Sequence, residues 1–268
     1  MKLTILGSGT DASQIPGIPN RFPPGFLVEW DEEKLLFECS EGIRFRLEKI
    51  GIDYASIRHL AISHSHPDHY ALPQFYQSIH NKGLWGGEHF SDHELKVYGP
   101  KDLVEGFPGL WQKYHPDLSD MLPRPWLKFV AMPAQDEINI ARAKLKAFEV
   151  YHGYGKVGAV AYRLETPEGI FVYSGDTGEC EGIRDAANNA DIFVCECSAN
   201  IGDNQNPKGY GHLNPFVAGD IAAKSGVKKI IFFHYTGLDT DEAIIKECRR
   251  AGFAGEVVIG KDFQSFSF

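Results

Sequence analysis

Several features that define other classes of protein are scarce or missing in this sequence of 268 residues. The five cysteines are odd in number and form no Cys-x-x-Cys pair, so neither a disulfide framework nor a cysteine zinc knuckle is indicated. The longest apolar runs, such as residues 229–233, are as long as a strand, whereas a membrane-spanning helix requires about 20 apolar residues. We therefore expect no membrane segment.

Positive charge is also scarce. The chain carries 27 Lys and Arg against 36 Asp and Glu, a formal net charge of -9, and no cluster of basic residues offsets it. Because long polyanions are attracted mainly by positive surfaces, this balance disfavours a long nucleic acid as a partner and favours a small substrate. The N-terminus lacks the apolar segment of a secretory signal, which predicts a cytoplasmic protein.

The remaining composition is that of an ordinary globular domain, with 43% hydrophobic and 24% charged residues. We expect one domain over residues 1–268. The interval from about 82 to 135, with several tryptophans and prolines, is the least regular. It is interpreted either as a lid that shapes a substrate pocket or as a packed surface excursion.

Hydrophobic patterning predicts eleven strands with four helices interspersed, an α/β order in two similar halves. This order favours two sheets packed face to face with helices outside. The helices are expected after a Ser40 cap, around Pro73, after an Asn214 cap, and after a capping box of Asp239 and Glu242. Their predicted spans are residues 41–50, 73–80, 215–224 and 241–250.

The densest group of metal-binding side chains follows a predicted strand that ends at Ser63. The run His64-Ser65-His66-Pro67-Asp68-His69 places four such side chains within six positions. On an extended loop, His64 and His66 project to the same side and can share one ion, while Asp68 and His69 reach toward a second. The spacing therefore predicts two metal ions.

Three later side chains stand where further ligands are required. His152 and His234 each follow an apolar strand, and Asp176 lies in a Ser-Gly-Asp-Thr turn just past another. Ligand sites in α/β proteins gather at the carboxyl ends of strands. These three residues are thus predicted to complete the metal site.

The run HxHxDH, a lone histidine, a Ser-Gly-Asp-Thr turn and a final strand-end histidine, in this order, resemble the metallo-β-lactamase superfamily over nearly the whole chain. The resemblance implies an αββα sandwich, often dimeric, with two zinc ions; manganese and iron remain alternatives. It implies that the first ion is held by His64, His66 and His152. It implies that Asp68, His69 and His234 hold the second ion and that Asp176 bridges both.

Within that superfamily the sequence is most similar to ribonuclease Z and related phosphodiesterases. Glu196, in Cys195-Glu196-Cys197-Ser198, stands where ribonuclease Z has a strand-borne glutamate, and His212 is an extra histidine before a helix. The resemblance implies that His212 assists phosphodiester cleavage and that Glu196 orients it. Period-two alternation separately predicts that Cys195 and Cys197 face away from Glu196.

Ribonuclease Z typically carries a long arm that clamps transfer RNA, inserted between the positions of His152 and Asp176. Only residues 153–175 separate them here, and these are predicted to form a hairpin. The missing arm and the acidic chain predict a small anionic phosphodiester, attacked by a metal-bridging hydroxide. Asp68 would orient that hydroxide or take its proton, and His212, held by Glu196, would bind a non-bridging oxygen or protonate the leaving group.

Two other functions remain open. An acyl hydrolase acting on a thioester or lactone could use the same metal ligands, because the ligand set alone does not select the substrate. A metal-binding protein without catalytic activity is the second alternative. Glu196 and His212, which coordinate nothing in the predicted ligand set, are the residues that favour phosphodiester cleavage.

Overall fold

The computed structural model describes residues 1–11, 20–86, 94–117, 126–132, 137–202, 209–235 and 237–267. Within these ranges it contains fourteen strands and six α-helices. The strands are β1 (Lys2–Gly7), β2 (Gly25–Trp30), β3 (Glu33–Phe37), β4 (His59–Ala61), β5 (Leu95–Gly99), β6 (Leu127–Ala131), β7 (Glu137–Ile140), β8 (Ala143–Glu149), β9 (Val160–Thr166), β10 (Gly169–Tyr173), β11 (Ile192–Glu196), β12 (Lys229–Phe233), β13 (Glu256–Ile259) and β14 (Ser265–Ser267). The helices are α1 (Ile43–Lys49), α2 (Leu72–Gly86), α3 (Lys101–Tyr114), α4 (Glu181–Ala187), α5 (Pro215–Lys224) and α6 (Asp241–Arg250).

The strands form two mixed sheets of seven strands each. The first has the order β14-β1-β2-β3-β4-β5-β6, and the second has the order β13-β12-β11-β10-β9-β8-β7. Residues of both sheets share one buried cluster that includes Phe26, Phe37, Phe171 and Phe233. Two further clusters lie between the first sheet and α1, α2 and α3, and between the second sheet and α4, α5 and α6. The predicted sandwich of two sheets with outer helices is confirmed.

Strand direction brings several strand ends to one place. Strands β10, β11 and β12 are parallel neighbours, and β8 runs in the same direction because β9 is antiparallel to both β8 and β10. Their carboxyl ends therefore share one edge of the second sheet. In the first sheet β4 is parallel to β3 and β5, so the ends of these three strands likewise share an edge. Every residue predicted to bind metal follows one of these strands.

The helix caps differ in part from expectation. The Asn214 side chain accepts a hydrogen bond from the Val217 amide, which confirms the predicted cap of α5. The predicted cap at Asp239 is wrong, because Thr240 accepts from the Ala243 amide at the start of α6. The Ser40 cap is also wrong. Its hydroxyl is buried against the Pro24 carbonyl, and helix α1 begins after Gly42.

The interval 82–135 is more regular than its composition suggested. Its described parts comprise the end of α2, strand β5, helix α3 and strand β6, while residues 87–93, 118–125 and 133–135 lie outside the described residues. Trp111 is buried in the cluster beneath the first sheet, and Trp126 packs against that cluster and stacks on Tyr76. Phe107 completes this apolar layer. Strands β5 and β6 thus belong to the first sheet and helix α3 packs on it, whereas Leu84 and Trp85 at the end of α2 are exposed. None of the helices described is long and apolar enough to cross a bilayer.

Phe171 tests the core between the sheets. Its side chain is fully buried, and its ring centroid lies 5.1 Å from that of Phe37 in the opposite sheet. We expect Phe171→Ala to lower the free energy of unfolding by about 3–5 kcal/mol, because a cavity replaces the ring. The exposed Tyr114→Ala should change it by less than about 0.5 kcal/mol. Urea denaturation measures both, and equal effects would contradict the assigned core.

Candidate metal centre

Three groups of His and Asp side chains come together at the adjoining strand ends. In each group the potential ligand atoms lie within 4.8 Å of one another. The first group is His64, His66, His152 and Asp176; the second is Asp68, His69 and His234; the third is Asp176, His212 and His234. All seven residues predicted as metal ligands are therefore brought together, and the extra histidine, His212, lies beside them.

The first group joins the loop after β4 to the segment after β8. The Nε2 atom of His152 lies 3.0 Å from Nδ1 of His66, and the His64 ring is 4.6 Å from the His66 ring, centroid to centroid. His64 and His152 are fully buried. Two unprotonated ring nitrogens so close together repel one another unless a proton or a cation lies between them.

The second group joins the same loop to the end of β12. The Nε2 atom of His234 lies 3.0 Å from the Asp68 carboxylate, and Nε2 of His69 lies 3.7 Å from it. His234 has a positive φ of 53°, so the chain turns sharply as it leaves β12. Its backbone amide donates to the Ser8 carbonyl, which fixes this turn against the loop after β1.

Asp176 lies between the three histidines of the first group and the residues of the second group. Its carboxylate is 3.9 Å from Nε2 of both His64 and His152 in the first group, and 3.3 Å from Nε2 of His69 in the second. Gly175 precedes it with φ of 57°, and a Cβ atom there would approach Ser63 to 2.7 Å. The close turn that delivers Asp176 therefore requires glycine.

Outer partners orient the histidine rings. His152 Nδ1 lies 2.9 Å from the Gly211 carbonyl, so Nδ1 carries the proton and Nε2 turns toward the cluster. The Ser63 hydroxyl lies 2.9 Å from Nδ1 of His64, and the Ser198 hydroxyl contacts Nδ1 of His234. Such partners fix the tautomer and direction of a metal-binding imidazole.

Glu38 is a site residue that the sequence analysis missed. It is fully buried just after β3, accepts from the Ser63 amide at 3.2 Å, and lies 3.4 Å from Nδ1 of His69. Its backbone φ is 65°. A carboxylate directly after an apolar strand was the available signal, because a buried acid requires a partner.

The side chains of this cluster fit a metal. His64 Nε2, His69 Nε2 and Asp176 Oδ1 are buried and make no hydrogen bond of good geometry among the described residues. Buried polar atoms without partners are rare in native proteins, and an ion accounts for them where they converge. Imidazole and carboxylate donors suit zinc and other divalent transition ions.

Electrostatics agree with this fit. Burial lowers the pKa of His64 well below its ordinary value and also lowers that of His152, so both rings are neutral and free to coordinate. Although burial opposes its charge, the carboxylates of Asp176 and Glu38 raise the pKa of His69 well above its usual range. A cation is thus stabilised between these carboxylates, either a proton or a metal ion.

His212 and Glu196 form a pair beside the cluster. His212 Nδ1 donates to Oε1 of the fully buried Glu196 at 2.8 Å, which leaves Nε2 of His212 available to the site. Although burial opposes the charge, the Glu196 carboxylate raises the pKa of His212 to about 9. As predicted, Cys195 and Cys197 face the opposite side and pack in the helical cluster.

Tyr210 forms one wall of the site. Its ring stacks on His66 and on His212, with centroid separations of 6.0 and 5.4 Å, and Tyr154 packs edge-on against it. Both tyrosines are exposed. Tyr154 and Tyr210 thus lie at the site, whereas Trp111 is buried in the core and Trp126 packs against it.

Comparison with known proteins gives a consistent family. The family profile described as a beta-lactamase superfamily domain matches residues 33–235. A ribonuclease Z from Streptomyces avermitilis is 24% identical and aligns over 97% of this chain and 95% of its own. The metallo-β-lactamase fold protein YhfI from Bacillus subtilis superposes with a TM-score of 0.80 at 22% identity, covering 99% of this chain and 98% of that one. The short form of human tRNase Z superposes with a TM-score of 0.73 at 20% identity, covering 100% and 99%.

These findings correct one prediction. The expectation of a small anionic substrate with no long nucleic acid is wrong, because relatives named ribonuclease Z, an enzyme of RNA, align with nearly the whole chain. The net charge of -9 is a sum over the entire chain, whereas the binding of an RNA strand depends on the electrostatic field at the surface that it contacts. The short hairpin of β9 and β10 between His152 and Asp176 does not exclude RNA either.

The relatives named ribonuclease Z support a metal-dependent phosphodiesterase or nuclease, and the cluster of His and Asp side chains fits a divalent metal. The match over residues 33–235, most of the chain, shows that the protein belongs to the β-lactamase superfamily and is a metal-dependent hydrolase.

Proposed function

We propose that this protein hydrolyses phosphodiester bonds, including those of RNA, with two divalent metal ions held at the strand ends. The observation that carries the proposal is the His212–Glu196 pair beside two groups of ligands. A cationic histidine directed at the site favours a phosphoryl centre over an acyl one, because a phosphodiester is an anion before the reaction and its leaving group gains further negative charge.

In this proposal each ion takes one group of ligands, as the family resemblance implies. His64, His66 and His152 would hold the first, Asp68, His69 and His234 would hold the second, and Asp176 would be shared by both. Zinc suits the five imidazoles, although manganese and iron remain alternatives. When bound, such a pair of ions supplies an acidified water and polarises the phosphoryl oxygens.

The protein's own side chains then position and move protons. Asp68 contacts His234 through Oδ2, so its other carboxylate oxygen can accept a proton from the attacking water and orient it. His212 presents Nε2 to the phosphate and donates its proton to a non-bridging oxygen or to the leaving group. Glu196 keeps His212 charged and correctly turned without contacting the substrate.

A substrate panel tests the choice between phosphoryl and acyl chemistry. We expect hydrolysis of bis(4-nitrophenyl) phosphate and of a short RNA, and little turnover of a thioester or a lactone. His212→Ala should reduce kcat for the phosphodiester by about 10²- to 10⁴-fold, because the proton donor is lost. Metal content should not change, and His115→Ala serves as the matched control. Full phosphodiesterase activity in zinc-loaded His212→Ala would refute the proposed role.

Glu196→Gln tests the source of the charge on His212. The Glu196 carboxylate raises the pKa of His212, although burial opposes the charge, so activity should decline as the pH rises through that pKa. Removing the carboxylate charge lowers the pKa of His212, and the basic limb of the kcat profile should move to lower pH. The position of the limb, rather than its height, is the readout, because the variant also disturbs three backbone hydrogen bonds. If the basic limb does not move, Glu196 does not set the pKa of His212.

Asp176→Asn tests the proposed bridge between the ions. Loss of one negative charge from the middle of the cluster should reduce bound metal from about two ions per chain to one or fewer, with activity falling in parallel. Inductively coupled plasma mass spectrometry after gel filtration measures this content. The exposed Asp117→Asn is the matched control and should retain full loading. Equal loading of both variants would mean that Asp176 is not a ligand.

A further inference from the structure

A groove of about 650 Å³ opens beside the metal centre. Its volume lies within the range of roughly 300–1,000 Å³ that is usual for small-molecule sites. Pro67 and Asp68 of the metal-binding loop are among the residues that line it, so the groove borders on the site. Nothing in the mechanism proposed above uses the rest of its surface.

Three phenylalanines line this groove, which we call the phenylalanine groove. They are Phe22, which follows the loop after β1, Phe45 on helix α1, and Phe263 between β13 and β14. Phe22 is 45% exposed and Phe45 is 57% exposed, although each is a large apolar ring. Phe22 and Phe263 pack edge to face with centroids 6.0 Å apart.

The charged residues of the groove have different tasks. Arg46 is buried and donates to the carbonyls of Pro23 and Glu41, and Asp262 accepts from the backbone amides of Ser8 and Phe22. These two therefore serve the fold. Lys49 is exposed, and its ammonium lies 4.0 Å from the centre of the Phe263 ring.

Arg21 is likewise bound to neighbouring groups, since it donates to the Ser8 hydroxyl at 2.9 Å. Asp11 and Glu41 also line the groove, so its acidic and basic groups nearly balance and it does not select for an anion by charge alone. The flat apolar phenylalanine rings are therefore the feature of the groove that can select a ligand. A planar ring attached to a phosphodiester is the class of ligand that suits them.

We propose that the phenylalanine groove binds a nucleobase of the substrate strand next to the scissile phosphate, with Lys49 at the adjoining backbone phosphate. This inference rests on the proposed function, because the groove shares Asp68 with the metal centre. Every base has a π-face, so stacking on aromatic side chains tolerates sequence while it holds the strand in place. The groove would thus distinguish nucleic acid from small phosphodiesters without bases.

Calorimetric titration of the zinc-loaded protein tests the groove directly. The probes are adenosine 5′-monophosphate, adenosine 3′-monophosphate and ribose 5-phosphate, all monoesters, the last of which has no base. We expect at least one nucleotide to bind about tenfold more tightly than ribose 5-phosphate, as one stacked base allows. Phe45→Ala should abolish this preference, whereas Phe45→Trp, which keeps an aromatic ring at this position, should retain it.

Tyr114→Ala is the matched control, because Tyr114 is also an exposed aromatic on a helix with a lysine near its ring. It should leave the preference intact. All variants should bind as much zinc as the wild type, because none of the substituted residues is among the proposed ligands. Equal affinity of the wild type for nucleotides and ribose 5-phosphate, or a preference that survives Phe45→Ala, would overturn the proposal.

The two proposals can fail separately. Base-dependent binding without hydrolysis of any phosphodiester would leave the groove in place and remove the proposed activity. Hydrolysis without base-dependent binding would do the opposite. Phe45-dependent binding of octanoyl-N-acetylcysteamine with no preference for nucleotides would identify an acyl-chain groove and reject the nucleobase.

Discussion

Burial of the Glu196 carboxylate at the end of β11 is the constraint on which the site depends. A carboxylate removed from water costs several kcal/mol unless hydrogen bonds compensate it. Here the backbone amides of Thr177, Ser198 and Leu213 donate to it, together with His212. These donors belong to three separate loops. One buried charge therefore fixes the turn that carries Asp176, the turn after β11 and the segment that carries His212 relative to one another.

The first sheet repeats this arrangement with a different glutamate. Glu38, after β3, accepts from the Ser63 amide and lies beside Nδ1 of His69. In each sheet a buried acid thus links a backbone turn to a histidine ring. The ring of His69 is thus oriented by Glu38 and that of His212 by Glu196, and neither acid is among the predicted metal ligands. The positions of the ligands follow from the sandwich as much as from the loop that carries four of them.

Charge on the whole chain and charge at the site have different consequences. The acidic composition describes the average surface, and it led to an exclusion of nucleic acid that the ribonuclease Z relatives contradict. At the strand ends, neutral imidazoles and a few carboxylates converge where a cation is stabilised. The adjoining phenylalanine groove attracts by its aromatic faces. Neither local property can be read from a count of charged residues.

The sequence by itself determined the two-sheet sandwich and seven of the clustered residues, because strand periodicity and the HxHxDH spacing act over short distances. It also indicated His212 and Glu196. Only the tertiary structure decided that Glu38 belongs to the site and that Phe22, Phe45 and Phe263 share one groove, since their contacts join segments far apart in the chain. Likewise, Ser40 and Asp239 have the local pattern of helix caps. In the structure the Ser40 hydroxyl instead donates to the carbonyl of Pro24, and Thr240 caps α6. Short-range sequence patterns determine where the strands and helices form. Which side chains meet is determined by the need of buried polar groups on distant strands for hydrogen-bond partners.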